Sequence, residues 1–521
     1  MQRNLSKARS ALVLTLTALV AGVCWIGSAQ TAAAFFRPMG GHFNVGRMPS
    51  RSFSGRHYTF REHGSVRGPH SRRYSGLPGR SREGHDGRGR RYFPHRWVYG
   101  HHERWVFRHH PIGPVAVIPP GTSPGGNGRP NGNGRINGVP PTGERRFVPD
   151  EVLIEFLPRV STQTIARFAR TFNLTRLSSQ SFSLLGGATF YRWRIAGGAS
   201  VPSMVATLQN QVIVANAQPN YIYTLQDSAT RAKPAGDQAQ YALRTLQIEE
   251  AHQIATGKNV TVAVIDSEVD AAHPDLKGAV KKSFDALDAA GKPQAHGTAM
   301  AGAIAEHGKL LGVAPDAALL AARAFDDTPG LAKGTSFAIY KSLQWAADNN
   351  ARVVNMSFVG PFDPALHRML TAASEKSIVL IAAGGNGGPN SGPQYPAAEA
   401  DVIAVAATDG HDGLFRLDNR NSYISVAAPG VDVLSLAPDG AYQISTGSSI
   451  AAAHVSGVVA LLLQCQPTLK PSDVRAILTS TAKPVTAGQT EGFAPHLVNA
   501  YLAVKSAETV TAGDGPQQAK R

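Results

Sequence analysis

Apolar and polar positions follow two different rhythms along this chain. From Gly257 onward, short and nearly unbroken apolar runs recur at 260–265, 317–323, 353–356, 378–382 and 402–406. A strand with one wet face alternates apolar and polar residues; a strand buried on both faces reads as a continuous apolar run. Helical stretches such as 297–306 and 335–349 lie between the runs. Strand and helix in alternation predict a parallel sheet covered on both sides. Right-handed crossovers then make it a doubly wound α/β domain, in which ligands meet the carboxyl ends of the strands.

The second rhythm occupies residues 147–223. Residues 152–156 read as a strand, and Ser161 is placed to cap a helix carrying Ile165, Phe168, Ala169 and Phe172 on one stripe. Residues 189–195 alternate as another strand. Pro202 opens a second helix with Met204, Val205 and Leu208, and a last strand runs from about 212 to Tyr223. A β-α-β-β-α-β order predicts a small α+β unit of the ferredoxin-like kind.

The first 146 residues have neither rhythm. Arg3, Lys7 and Arg9 precede an apolar stretch at 11–26 and then small residues, the pattern of a secretory signal over 1–34; the alternative is an uncleaved anchor. Residues 35–110 are rich in Arg, His, Gly, Ser and Tyr, and 111–146 form a Pro/Gly/Asn-rich linker. Both are expected to be disordered, because neither holds enough apolar surface to offset its ordering entropy. The boundaries expected are therefore 1–34, 35–146, 147–226 for the ferredoxin-like domain, 236–506 for the α/β domain, and 507–521 as a disordered tail.

Charge sharpens this division. The formal net charge is +16, yet residues 31–146 hold 20 Arg and no Lys against five Asp or Glu. The folded part is close to neutral. Such a basic segment predicts attraction to polyanions or anionic surfaces, against the alternative of a solvated tail with no partner. His101-His102 and His109-His110 add weak metal-binding potential. Of the two cysteines, Cys24 falls in the signal and Cys465 in an apolar helical run, so no disulfide framework is expected. A secreted or periplasmic monomer is the expectation.

Three polar residues stand where chemistry is placed in such a sheet. Asp266 ends the apolar run 262–265, His296 opens a helix before Gly297 and Thr298, and Ser449 opens the long apolar helix that follows Thr446 and Gly447. Nucleophile, base and orienting anion is the set that acyl transfer requires. Each alone has an ordinary reading, as a turn Asp, a cap Ser or an incidental His. Ser448 is the rival nucleophile by position.

These local sequences resemble the subtilisin-like serine peptidase family from about Gln240 to Leu502. The resemblance rests on Thr256-Gly257, Val264-Ile265-Asp266, His273-Pro274-Asp275-Leu276, His296-Gly297-Thr298 and Gly312-Val313-Ala314-Pro315. It continues through Asn355-Met356-Ser357, Ala383-Gly384-Gly385-Asn386, Tyr395-Pro396-Ala397, Ala428-Pro429-Gly430, Gly447-Ser448-Ser449 and His454-Val455-Ser456-Gly457. It implies that Asp266, His296 and Ser449 form a catalytic triad, the last selected over Ser448 by the Gly-x-Ser spacing. Asn386 and the Ser449 N–H would form the oxyanion hole. Ser357, Phe358, Val359, Gly360, Gly384 and Gly385 would bind substrate.

The ferredoxin-like unit resembles the family's propeptide, an inhibitor and folding aid, with self-cleavage expected between Tyr223 and Gln240. Protein or peptide substrates and the chain's own propeptide are the implied partners. No cofactor is expected. Calcium occurs in some members, but the short segment between Glu306 and Leu311 lacks their Asn-rich loop, so no site is assignable. Glu268 stands where the family has Gly, Val359 where Gly is common, and Ala299, Ile450 and Ala453 also depart. These departures leave open an inactive, peptide-binding relative as the alternative.

Overall fold

The computed structural model describes residues 137–225, 228–230, 240–328, 332–486, 488, 493 and 495–513. The signal, the Arg/His-rich segment and the linker as far as 136 lie outside the described residues. So does the tail beyond 513.

The small unit contains β1 (Phe147–Phe156), α1 (Thr162–Thr171), β2 (Leu174–Phe182), β3 (Ala188–Ile195), α2 (Val201–Leu208) and β4 (Val214–Leu225). Its strands lie in the order β4-β1-β3-β2, with every pairing antiparallel. Ser161 caps α1 as the sequence predicts, its hydroxyl accepting from the Thr164 N–H at 3.2 Å. Val152, Ile154 and Trp193 on one face of the sheet pack against Ile165 and Phe168 of α1 and Val205 and Leu208 of α2. Leu153, Phe190 and Tyr221 on the other face join the core of the larger domain. Both faces are dry, which is why 152–154 reads as three apolar residues in a row.

The larger domain adds β5 (Ser228–Thr230), α3 (Tyr241–Leu246), α4 (Ile248–His252), β6 (Thr261–Asp266), β7 (Val280–Asp285), α5 (Ala295–Ala305) and β8 (Ala318–Arg323). There follow β9 (Lys333–Thr335), α6 (Ser336–Asp348), β10 (Val353–Met356), β11 (Phe358–Val359), α7 (Pro364–Glu375), β12 (Val379–Ala383), β13 (Val402–Thr408) and β14 (Ile424–Pro429). The last elements are β15 (Val433–Ala437), β16 (Ala441–Thr446), α8 (Ser448–Cys465), α9 (Pro471–Ser480), β17 (Lys483–Pro484), β18 (His496–Leu497) and α10 (Ala500–Gly513). The main sheet has the order β17-β18-β14-β13-β12-β10-β6-β8-β7 and is parallel except at β17.

Helices α5, α8, α9 and α10 cover one face of this sheet, and α6 and α7 the other. The expected doubly wound arrangement is present. Helix α8 is long and apolar enough to cross a bilayer, but 89% of it is buried inside the domain. Its interior position explains the lack of a polar stripe.

Two expectations about disorder are corrected. Residues 137–146, read as the end of a disordered linker, lie against the small sheet. Val139 packs on its core, and the Ile222 N–H donates to the Arg146 carbonyl at 2.9 Å. The tail expected from 507 continues as α10 to 513, because Ala500, Ala503, Val504 and Ala507 form one stripe buried in the main core.

The joint between the domains is polar at its centre. Asp363 caps α7 through the Ala365 and Leu366 N–H groups, both at 3.0 Å. Its carboxylate also accepts from Ser336 Oγ (2.5 Å), Tyr340 Oη (2.6 Å) and Gln218 Nε2 of β4 (2.7 Å). Arg368 of α7 pairs with Glu155 of β1 at 2.7 Å.

Glu306, just after α5, is 2% exposed, and its Oε2 has no hydrogen-bond partner among the described residues. Burial, with Asp275 nearby, pushes its carboxyl from 4.5 up to about 8. The folded state therefore keeps a proton that the unfolded chain releases, and stability falls as pH rises from about 4.5 towards 8. Glu306→Gln removes that dependence. Wild-type protein is expected to lose several degrees of Tm between pH 5 and pH 8.5, and the variant much less, measured by calorimetry on the Ser449→Ala background.

The neighbouring oxygens do not suit a cation. Asp275 Oδ2 accepts from the Leu310 N–H and Tyr442 Oη, both at 3.1 Å, and Gln240 Oε1 accepts from the Leu311 N–H at 3.2 Å. Among the described residues no group of three His, Cys, Asp or Glu is arranged to hold a metal.

Candidate active site

The expected residues converge on the rim formed by the carboxyl ends of β6, β10 and β12. Asp266 ends β6, fully buried. Its Oδ1 accepts from the Ser267 N–H (2.7 Å), Ser267 Oγ (3.1 Å) and His296 Nδ1 (2.7 Å). Ser267 Oγ in turn accepts from the Gly297 N–H at 3.0 Å, tying the start of α5 to the end of β6. Only glycine fits at 297, because a Cβ there would lie 2.4 Å from the Ser267 carbonyl oxygen. The sequence His296-Gly297 is thus the condition for the imidazole to reach the carboxylate. A histidine Nδ1–H held by a buried carboxylate leaves Nε2 as the basic nitrogen.

The departures leave this contact in place. Glu268 turns towards Arg323, its Oε2 4.0 Å from Nε, while its backbone carbonyl accepts from the Gln294 N–H at 2.8 Å. Arg323 also pairs with Asp285 (3.1 Å) and Asp327 (3.3 Å). Burial raises the Glu268 carboxyl above its ordinary range, with Arg323 opposing. Ala299, Ile450 and Ala453 are interior residues of the helix packing.

Ser449 is the second residue of α8, buried, with Oγ donating to the Ser357 carbonyl at 3.3 Å. Ser357 Oγ donates to the Ser449 carbonyl at 3.0 Å and accepts from Asn355 Nδ2 at 2.9 Å. Ser456 Oγ, two turns further along α8, donates to Asn355 Oδ1 at 3.1 Å. A run of small hydroxyl and amide groups thus fastens the head of α8 to β10.

Ser448 is committed elsewhere. Its N–H and hydroxyl both donate to Asn386 Oδ1 at 2.9 Å, and its Oγ accepts from the Gly385 N–H at 3.0 Å. Two donors on Oδ1 identify that atom as the acceptor end of the Asn386 amide. Gly384 and Gly385 are taken up by the fold: Tyr423 Oη donates to the Gly384 carbonyl at 3.0 Å and the Asn419 N–H to the Gly385 carbonyl at 3.0 Å.

The remaining expected residues, 357–360, form an edge, and that edge is occupied by the chain itself. Phe358 pairs with Leu225 and Val359 with Thr224, antiparallel, while Lys333–Thr335 of β9 pairs with the other side of β4. Val359 Cγ1 stands beside Gly385. Tyr223 is fully buried with its ring edge-on to Phe358 at 5.7 Å, and its hydroxyl donates to the Pro361 carbonyl at 3.2 Å. Gly360 makes room for it: a Cβ there would meet the Tyr223 ring at 2.3 Å. Further along the chain β5 pairs antiparallel with β16, Ser228 opposite Thr446. The pairing strands β5 and β9 and the supporting roles of Ser267 and Ser448 are not legible in sequence. Three-residue strands carry no periodicity, and a hydroxyl's partner depends on a distant loop.

Residues 257–503 match the model of the subtilase family. The chain is 35% identical over 274 residues to thermitase of Thermoactinomyces vulgaris, covering 51% of this chain and 96% of that protein. It is 35% identical over 295 residues to subtilisin E of Bacillus subtilis, covering 54% of this chain and 76% of that one. The crystal structure of fervidolysin from Fervidobacterium pennivorans, a keratinolytic enzyme related to subtilisin, superposes with a TM-score of 0.60 at 25% identity. That match covers 73% of this chain and 63% of fervidolysin, so the chain spans less than two thirds of it. With the parallel sheet, the Asp266–His296 contact and these likenesses together, the chain belongs to the subtilase family of serine endopeptidases.

Proposed function

We propose that this protein is a secreted or periplasmic serine endopeptidase made as a precursor, with Asp266, His296 and Ser449 as its triad. The observation that carries the reading is the 2.7 Å contact of His296 Nδ1 with the buried Asp266, at the same sheet rim as the head of α8. In the reaction, the Ser449 hydroxyl leaves the Ser357 carbonyl for His296 Nε2. His296 takes the proton as Oγ bonds to the scissile carbonyl carbon, and Asp266 stabilises the imidazolium. The oxyanion is held by the Ser449 N–H and Asn386 Nδ2, whose amide Ser448 orients. Collapse breaks the C–N bond, and the amine departs with the proton from His296. Water then attacks the ester carbon and passes a proton to His296, which returns it to Oγ as the ester C–O bond breaks, freeing Ser449 and the acid product.

A fluorophosphonate probe tests the assignment. Labelling of the wild type, lost in Ser449→Ala and retained in Ser448→Ala, is the expected result; labelling that survives Ser449→Ala overturns it.

The small domain is read as the inhibitor of its own chain. Residues 222–225 lie between β9 and β11 as an extended substrate would, by strand addition. The pairings to either side are Leu225 opposite Phe358 and Ser228 opposite Thr446, a residue just ahead of α8 and Ser449. Self-cleavage is expected between Leu225 and Ser228, so N-terminal sequencing of the mature form should begin at residue 226, 227 or 228. A mature chain beginning after Thr230 would contradict that register. The signal-like sequence at 1–34 supports export. The basic segment supports attraction to polyanions, tested by deleting residues 31–136 and measuring heparin retention.

A further inference from the structure

A groove of about 470 Å³ opens on the helix-bearing side of the small sheet, away from the joint with the larger domain. Ile165 and Ala169 of α1 form its apolar wall, and Tyr191 and Trp193 of β3, stacked at 6.0 Å and 22°, form another. Arg170, in the last turn of α1, and Arg176, on β2, complete the lining. Their charge is not answered locally. On the neighbouring strand, Arg192 pairs with Glu151 at 2.7 Å and Arg194 with Asp150 at 3.1 Å. Among the described residues Arg170 and Arg176 enter no ion pair, and the groove is lined by no acid. Trp193, 3% exposed, has an indole N–H without a partner among the described residues. A buried donor left unpaired is costly, so such a group favours an acceptor beside it.

We infer that this groove is a binding site for the free C-terminal carboxylate of a short apolar peptide. Two guanidinium forks suit a carboxylate, which they can hold in bidentate fashion. The size and mostly apolar walls suit one or two side chains of a small ligand. β2 is the edge strand of the sheet, so its outer backbone is available to a peptide laid alongside. A cationic or neutral ligand would leave both arginines unanswered. The site is separate from the cleft occupied by residues 222–225. The inference stands whether or not Ser449 is the nucleophile; if it is, peptides ending in new carboxylates are the enzyme's own products.

The test uses the full-length Ser449→Ala chain and calorimetric titration with N-acetyl-Ala-Leu-Leu. The expected result is one saturable site, at least about tenfold weaker for the C-terminal amide of the same peptide. Arg170→Gln combined with Arg176→Gln should weaken the acid at least about tenfold and leave the amide unchanged, with the circular dichroism spectrum preserved. Both arginines are exposed, so this variant keeps the core intact. Equal binding of acid and amide, unaltered binding in the double variant, or no saturable binding would each overturn the proposal. So would tighter binding of decanoate than of the peptide, which would assign the groove to fatty acids.

Discussion

Ser449→Ala is expected to lower kcat on an unstructured peptide by about 10⁶-fold and to leave the precursor uncut. The variant removes the only atom in the proposed scheme that bonds covalently to substrate. What remains is the oxyanion pair, Asn386 and the backbone N–H of residue 449, together with substrate binding, and these sustain only a residue of catalysis. Folding should survive. The hydroxyl makes one side-chain hydrogen bond, to the Ser357 carbonyl at 3.3 Å, and a single bond of that kind contributes about 1 kcal/mol. The measurements are the steady-state rate, the intact mass of the purified protein and its Tm. A variant that still processes itself would remove Ser449 from the mechanism.

Asp266→Asn should cost about 10⁴-fold in kcat with little change in Tm. The substitution preserves volume, and the amide oxygen can still accept from the Ser267 N–H, now 2.7 Å from Oδ1. That same oxygen takes the His296 Nδ1–H and the Ser267 hydroxyl, so the contacts survive, but the neutral amide no longer stabilises the imidazolium that forms as Ser449 attacks. Because the defect is a lost charge and not a lost contact, rate and stability should separate. A loss below about tenfold would mean that the imidazolium does not depend on the charge of Asp266.

His454, a family landmark that takes no part in this scheme, illustrates a limit of reading residues by type. Burial lowers its imidazole to about 4, opposed by the bond from Nδ1 to the Pro429 carbonyl at 2.9 Å. It is a neutral structural group inside α8. Sequence alone does not separate it from His296, since both sit among small residues in helices. The difference lies in what faces each ring: a carbonyl in one case, a buried carboxylate in the other.

Much of the architecture was decided locally. Nearly unbroken apolar runs of four to seven residues specify strands covered on both faces, and the helical stripes between them specify the cover, because burial rewards only those spacings. The family's local sequences mark the ends of β6 and β12 and the heads of α5 and α8, where the polar groups stand. Tertiary structure alone decided the rest: that Ser448 holds Asn386 and Gly385, that Glu268 turns to Arg323, and that residues 137–146 and 507–513 are ordered. Each of these depends on partners up to some two hundred residues away, and a short stretch of chain cannot encode a hydrogen bond whose other half is supplied by a distant loop.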